Sequence, residues 1–276
     1  MSAAFEGEGL QEAPEQPEPP RVRSSAAAKK LILPADADLE RLVHDGSPEV
    51  LTAVAGDPRL TEDLALALLN RRDLPREALE SLSKNSHVAK QRKVRLALVT
   101  HPHTPRHISV PTIRHIYTFE LMQVALLPTV PPDVKRAADE VLIGRLATIA
   151  SGERSTLAKQ GSGRIAAALL LDKEERIMQA ALSNSRMTEV WIIKALKAET
   201  GTELLAPAVS RHQKWSYRNE IKVALLGNKH TPTARLIQLA AELPVSLIKD
   251  VLRNGRLSPQ AKNSLAAVLE KRTARA

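Results

Sequence analysis

The sequence predicts an all-α fold: an α-solenoid of paired helices, made by tandem duplication and curved into an arc or ring. Three observations carry that prediction. The 276 residues are 43% hydrophobic but only 2% aromatic, so the interior is Leu, Ala, Val and Ile. That mixture favours helix packing over strands, which draw on aromatic and β-branched side chains. The phrase "KVRLALVTHPHTP" at 93–105 returns as "EIKVALLGNKHTP" at 220–232, 127 positions later. Within each half a shorter grammar also recurs: an apolar run, a turn rich in Gly, Asn or Asp, then a Thr or Ser that opens the next run.

Composition sets the outer limits. The length suits one large or two small domains with a sizeable core. The chain has no cysteine, which excludes disulfides, thiolate metal sites and iron–sulfur clusters. No apolar run approaches 18 residues and there is no signal-peptide core, so a cytoplasmic protein is the expectation, nucleoid-associated if DNA is its partner.

Four segments follow in order. Residues 1–30 form an acidic, then basic tail: 1–20 hold five Glu and no Lys or Arg, and "RVRSSAAAKK" at 21–30 reverses the sign. Rich in Pro, Glu, Gln and Gly without periodicity, the tail is expected to be disordered. Without its first 20 residues the net charge rises from +9 to +14. Residues 31–146 are the first α-repeat half, 147–171 a connecting segment and 172–276 the second half.

The duplication rests on an ungapped register. Shifted by 127, residues 45–145 align with 172–272 with 18 identities in 101 pairs. Chance gives roughly 6 or 7 for such a composition. Identical pairs include Asp45/Asp172, Arg59/Arg186, Thr61/Thr188, Ala97/Ala224, His103/His230, Thr104/Thr231, Pro105/Pro232 and Arg145/Arg272. Thr61–Glu62, Thr104–Pro105, Thr188–Glu189, Thr231–Pro232 and Ser258–Pro259 each read as a helix start, with the hydroxyl as N-cap. Each unit is then two helices joined by a tight turn, with an apolar stripe that only a stacked neighbour can cover. "KQGSGRIAAALL" at 159–170 is a Gly-Ser-Gly loop opening a helix. It lacks the spacing of a P-loop and reads as the turn joining the halves, with an anion at the helix start as the sharper alternative.

Residues 94–108 and 221–236 resemble the "VRxALxxNPxTPxxxL" phrase of bacterial leucine-rich-variant and HEAT-like α-repeat proteins. The resemblance covers most of 40–272 and implies a fold and a binding habit, with no reaction and no cofactor. Some leucine-rich-variant proteins carry an iron–sulfur cysteine cluster. This chain has no cysteine, so that activity does not carry over.

Charge points to the partner. From Ser81 to Phe119 there is no Asp or Glu, while Lys84, Lys90, Arg92, Lys93, Arg95, Arg106 and Arg114 are basic. The corresponding stretch 209–232 carries Arg211, Lys214, Arg218, Lys222 and Lys229 against one acid, Glu220. Clustered Lys and Arg suit the phosphate backbone, where counterion release drives affinity. The expected nucleic-acid contacts are Lys84, Arg92, Lys93, Arg95, Arg106, Arg114, Arg211, Lys214, Arg218, Lys222 and Lys229. The expected partner is nucleic acid bound without sequence preference, double-stranded DNA before RNA. The bland reading is a solvated basic face, and the alternative function is a scaffold for an acidic protein; a membrane partner is not expected.

Aromatic and histidine positions supply the remaining candidates. Trp215 and Tyr217 are interleaved with Arg211, Lys214 and Arg218, where a base could stack. Trp215 aligns with Val88 and Trp191 with Leu64, which favours packing for both. Trp among basic residues on helical repeats is similar to the HEAT-like alkylpurine DNA glycosylases, a third reading. Those enzymes need a carboxylate beside the aromatic cleft, and only Glu189 and Glu220 are near. His103 and His107 have the i, i+4 spacing of a metal pair, but Pro105 interrupts the helix between them and no acid or Cys is close. His103 recurs as His230 and reads as turn-stabilising. No metal ligand or catalytic residue is assigned.

Overall fold

The computed structural model describes residues 31–198, 203–254 and 257–274. The tail expected at 1–30 lies outside the described residues. The first half contains α1 (Leu39–Leu42), α2 (Pro48–Ala55), α3 (Glu62–Leu69), α4 (Arg76–Lys84), α5 (Arg92–Thr100), α6 (Arg106–Ile113), α7 (Thr118–Leu126) and α8 (Pro132–Arg145). After a 3-10 turn, Leu146–Thr148, come α9 (Ser151–Gln160), α10 (Gly163–Leu169), α11 (Glu175–Leu182), α12 (Glu189–Lys197) and α13 (Leu205–Arg211). The chain continues through α14 (Asn219–Leu226), α15 (Thr233–Glu242), α16 (Val245–Asn254) and α17 (Pro259–Thr273). There is no strand among the described residues, so the fold is all-α.

Most of these helices have seven to ten residues. That is too short to persist alone in water, so tertiary burial must hold them. Leu, Ala, Val and Ile supply it, with Met178, Met187 and Trp215 the larger exceptions. One buried cluster runs from Leu39 to Ile108 and a second from Val99 to Leu265. The substantial helix–helix contacts all join elements at most two apart in order. α3, α5 and α7 form one row, and α12, α14 and α16 form another.

Helix starts recur at the sequence register. α2 and α11 begin at Pro48 and Glu175, α3 and α12 at Glu62 and Glu189, and α5 and α14 at Arg92 and Asn219, each 127 residues apart. The same offset separates α6 from α15, α7 from α16 and α8 from α17. α13 departs from it by starting two residues late against α4. The segment 147–171 is more than a connector. It holds α9 and α10, and Leu157, Ala158, Ile165, Ala166, Leu169 and Leu170 are buried in the second cluster.

The turns show which side chains set the register. Thr61 and Ser258 are N-caps, accepting hydrogen bonds from the N–H groups of Leu64 and Ala261. Thr188 occupies the N-cap position of α12 without such a bond. Thr104 and Thr231 depart from the expected pattern: the N-caps are Pro105 and Pro232. The two buried hydroxyls instead donate backward, to the carbonyls of Leu98 at 2.6 Å and Leu225 at 2.7 Å. Carbonyls in the last turn of a helix lack intrahelical donors, so these hydroxyls satisfy α5 and α14 rather than opening α6 and α15.

A second set of side chains ties each unit to the one before. Asn85 Nδ2 donates to the carbonyls of Ala55 and Asp57, and Asn184 Nδ2 to those of Ala158 and Gly161. Asn228 Nδ2 donates to Leu196 O at 2.6 Å. His101 Nε2 takes the equivalent place, 2.9 Å from Arg71 O. Each of these side chains also accepts an N–H from two residues further on, that of His87, Arg186, His230 and His103 respectively. One side chain therefore closes its own turn and caps the end of a helix in the preceding unit. The turn-stabilising role read for His103 and His230 belongs to the residues two places earlier, His101 and Asn228.

Candidate nucleic-acid interface

The basic residues gather where α4 turns into α5 and where α13 turns into α14. Val94 and Leu98 fix the buried stripe of α5, which leaves Arg92 and Lys93 on the outer side of its first turn. Lys84 ends α4 and Arg211, its match at 127, ends α13; both are exposed. There a cation complements the negative end of the helix dipole. Lys90, Lys214 and Arg218 are exposed in or beside the same two turns. Arg114 belongs to this end as well, because the turn it opens reaches Tyr117, whose ring centroid lies 4.6 Å from the Arg92 guanidinium. Arg106 and Lys229 follow the far ends of α5 and α14, roughly 13 Å of helix away. The structure therefore places eight of the eleven expected contacts in or just beyond two matched turns, Arg114 in the adjacent α6–α7 turn, and Arg106 and Lys229 apart.

Carboxylates that are distant in sequence enter this surface. Arg92 Nε is 2.6 Å from Glu120 Oε1, one residue beyond the acid-free window, and Arg106 Nε is 2.9 Å from Asp133 Oδ2. Lys222 Nζ is 2.6 Å from Glu242 Oε2, and its side chain is only 15% exposed. The Lys222 ammonium in turn holds the Glu242 carboxyl below its ordinary range. Arg95, the match of Lys222, is half-buried, with Nε donating to Ala89 O. Lys84, Lys93, Arg114, Arg211, Lys214, Arg218 and Lys229 are exposed and have no ion pair among the described residues. These seven cations can reach an outside anion without breaking a salt bridge.

Trp215 offers no stacking face, and Trp191 only a partly covered one. Trp215 is 3% exposed, and its Nε1 donates to Leu182 O at 2.8 Å. Lys214 Nζ lies 4.2 Å from its ring centroid. Trp191 is half-buried against the core beneath Lys194. Tyr217 is the open aromatic of this turn, 77% exposed. With Trp215 enclosed and hydrogen-bonded, the aromatic cleft that a glycosylase needs does not form around it.

The other candidates resolve into structural roles. Ser162 caps α10 by accepting the Ile165 N–H and donates to Asp139 Oδ1 of α8 at 2.7 Å. Burial pushes the Asp139 carboxyl above its ordinary range. The start of α10 thus already faces a carboxylate of the chain. Both flanking glycines are dictated by crowding: a Cβ on Gly161 would lie 2.5 Å from Leu157 O, and one on Gly163 2.7 Å from Arg186 O. The His101 and His103 rings meet edge to face, 5.7 Å apart. No group of three His, Asp or Glu positioned to hold a metal occurs among the described residues.

Two cavities adjoin the second-half turns. A groove of about 710 Å³ lies across α12, α14 and α16, floored by Ile193, Val223, Leu247 and Val251 and edged by Lys197, Lys229, Glu220 and Asp250. A smaller pocket of about 510 Å³ separates the α11–α12 turn from the α13–α14 turn. Sequence reading found Arg211 and Lys214 in the latter but missed Ser183 and Ser185, which carry no motif. Only the register, which puts residues 183–185 opposite residues 56–58, could have drawn notice to them.

No helix among the described residues is long and apolar enough to cross a membrane. Compared with family models, with curated proteins and with solved structures, the chain matches none.

Proposed function

We propose that the chain is a tandemly duplicated α-solenoid that binds nucleic acid through its phosphate backbone, double-stranded DNA foremost, without reading sequence. The duplication is supported by helix starts that recur at one offset in six pairs. The solenoid is supported by contacts confined to helices near one another in order. The observation that carries the binding function is the pair of matched basic turns, with Lys84, Lys90 and Lys93 on one and Arg211, Lys214 and Arg218 on the other, all exposed. Carboxylate neutralisation is absent from these six among the described residues, so counterions occupy them until a polyanion displaces those ions.

A second reading has its own observation. The 710 Å³ groove has an apolar floor and a rim of both charge signs, a shape suited to a peptide or helix from a protein partner. A gel shift with duplex DNA, single-stranded DNA and an acidic peptide separates the two. Duplex should be retarded at low salt and released as salt rises. Retention of the peptide alone would replace nucleic acid with a protein partner.

A further inference from the structure

The pocket between the α11–α12 and α13–α14 turns has a chemistry that its counterpart lacks. Its lining includes Ser183, Ser185, Arg211, His212, Gln213 and Lys214. Two of these are fixed cations, two are hydroxyls, and none is a carboxylate. Neither serine hydroxyl is hydrogen-bonded to another described residue, and neither cation has an ion pair among them. Two helices end at the pocket, and each C-terminus contributes about half a negative charge. Two full positive charges outweigh them, and the Leu182 carbonyl is already engaged by Trp215 Nε1.

The equivalent turns of the first half supply a contrast within one chain. At the 127-residue offset, Asn184 replaces Asp57, Ser183 replaces Gly56, Ser185 replaces Pro58 and Lys214 replaces His87. Asp57 is a buried carboxylate that holds Arg59 at 2.8 Å, so the first-half turn neutralises itself. Asn184 keeps the turn geometry, accepting the Arg186 N–H just as Asp57 accepts that of Arg59. It does so without charge. The turn fold is retained, the negative charge is removed, and hydroxyls and a cation are added.

We propose that this pocket is a phosphate-binding site, with Arg211 and Lys214 supplying the charge and Ser183 and Ser185 donating hydrogen bonds. It rests on the nucleic-acid reading only for the source of the phosphate. Arg211's fork suits two phosphate oxygens at once, and Lys214 acts as a point charge.

The chain carries its own reporter. Of its two tryptophans, Trp215 lies in the α13–α14 turn beneath Lys214 and is bonded to a pocket residue, while Trp191 lies on α12. In ¹H–¹⁵N spectra of the full chain, sodium phosphate added at constant ionic strength should shift the Trp215 indole signal saturably and leave that of Trp191 in place. Arg211→Gln with Lys214→Gln should abolish the shift, and Lys84→Gln with Lys93→Gln should preserve it. A non-saturating shift, equal shifts of both indoles, or a shift that survives Arg211→Gln with Lys214→Gln overturns the site. Oligonucleotide arms identify the source. A duplex with 5′-hydroxyl ends that moves Trp215 points to backbone diesters, and movement with 5′-phosphorylated ends alone points to a terminal monoester. Retention of both duplexes with no movement of Trp215 by either one or by free phosphate overturns the pocket and leaves the nucleic-acid reading standing. Saturation by free phosphate with no duplex retained supports the pocket and overturns that reading.

Discussion

Trp215 shows how far a single residue can be read from sequence. Its alignment with Val88 indicated packing, and its basic neighbours indicated an exposed stacking face; the structure decides for packing. The deciding fact is a carbonyl acceptor 33 residues upstream, Leu182 O, which no local pattern announces. Lys222 behaves in the same way, because its partner Glu242 lies 20 residues on. Acid-free windows in sequence therefore overstate acid-free surface in space. Trp215→Phe keeps the ring but strands the buried Leu182 carbonyl. An unsatisfied buried polar group costs about 1–3 kcal/mol, so the urea midpoint should fall accordingly. Trp191→Phe, at a half-buried site, should cost clearly less. Equal midpoints for Trp215→Phe and the parent would mean that the indole bond contributes nothing.

At the scale of the helix, start positions were legible, their capping hydroxyls only in part, and the ends not at all. Thr61 and Ser258 cap α3 and α17 as their Thr-Glu and Ser-Pro signals indicate. The ends depend on side chains from the next unit, a long-range pairing that periodicity does not encode. His101 makes this dependence measurable. Its Nδ1 accepts the His103 N–H, which leaves the proton on Nε2 to bond Arg71 O. Burial, the larger effect, and the nearby His103 hold its pKa below the ordinary 6.5, against the bond to Arg71 O, which raises it. The folded chain then binds fewer protons than the unfolded chain in mild acid. The contribution of His101 is present in full above about pH 6.5 and is lost as pH falls through the lower folded value. The second half places Asn228 at the matching position, with the same two bonds and no titration. His101→Asn should therefore preserve stability at neutral pH and flatten its decline between pH 7 and 5, as followed by thermal unfolding. His212, whose pKa burial also lowers, sustains the remaining slope. An unchanged pH profile in His101→Asn would remove His101 from the account.

Across the whole molecule, the all-α class followed from composition because helices that touch only near neighbours need no aromatic-rich sheet core. The basic surface was legible as two clusters of charge, but not in its details: Arg92, Arg106 and Lys222 prove to be paired, and Arg95 is half-buried. The proposal makes the two halves equivalent binding surfaces on one polyanion, which fixes how their mutants must combine. Removing one phosphate-neutralising cation lowers the slope of log K against log salt by about 0.9 for duplex DNA. Lys84→Gln with Lys93→Gln in the first half should lower it by about 1.8, and Arg211→Gln with Lys214→Gln in the second by the same amount. All four together should lower it by about 3.6, because the sites share no partner and cations that neutralise a single duplex at once act additively. These positions are exposed, so circular dichroism should record unchanged helicity in every variant. If one half alone held the duplex, its double mutant would account for the whole reduction and the other would leave the slope at the parent value. That result would confine binding to one turn and remove the duplicated surface from the mechanism.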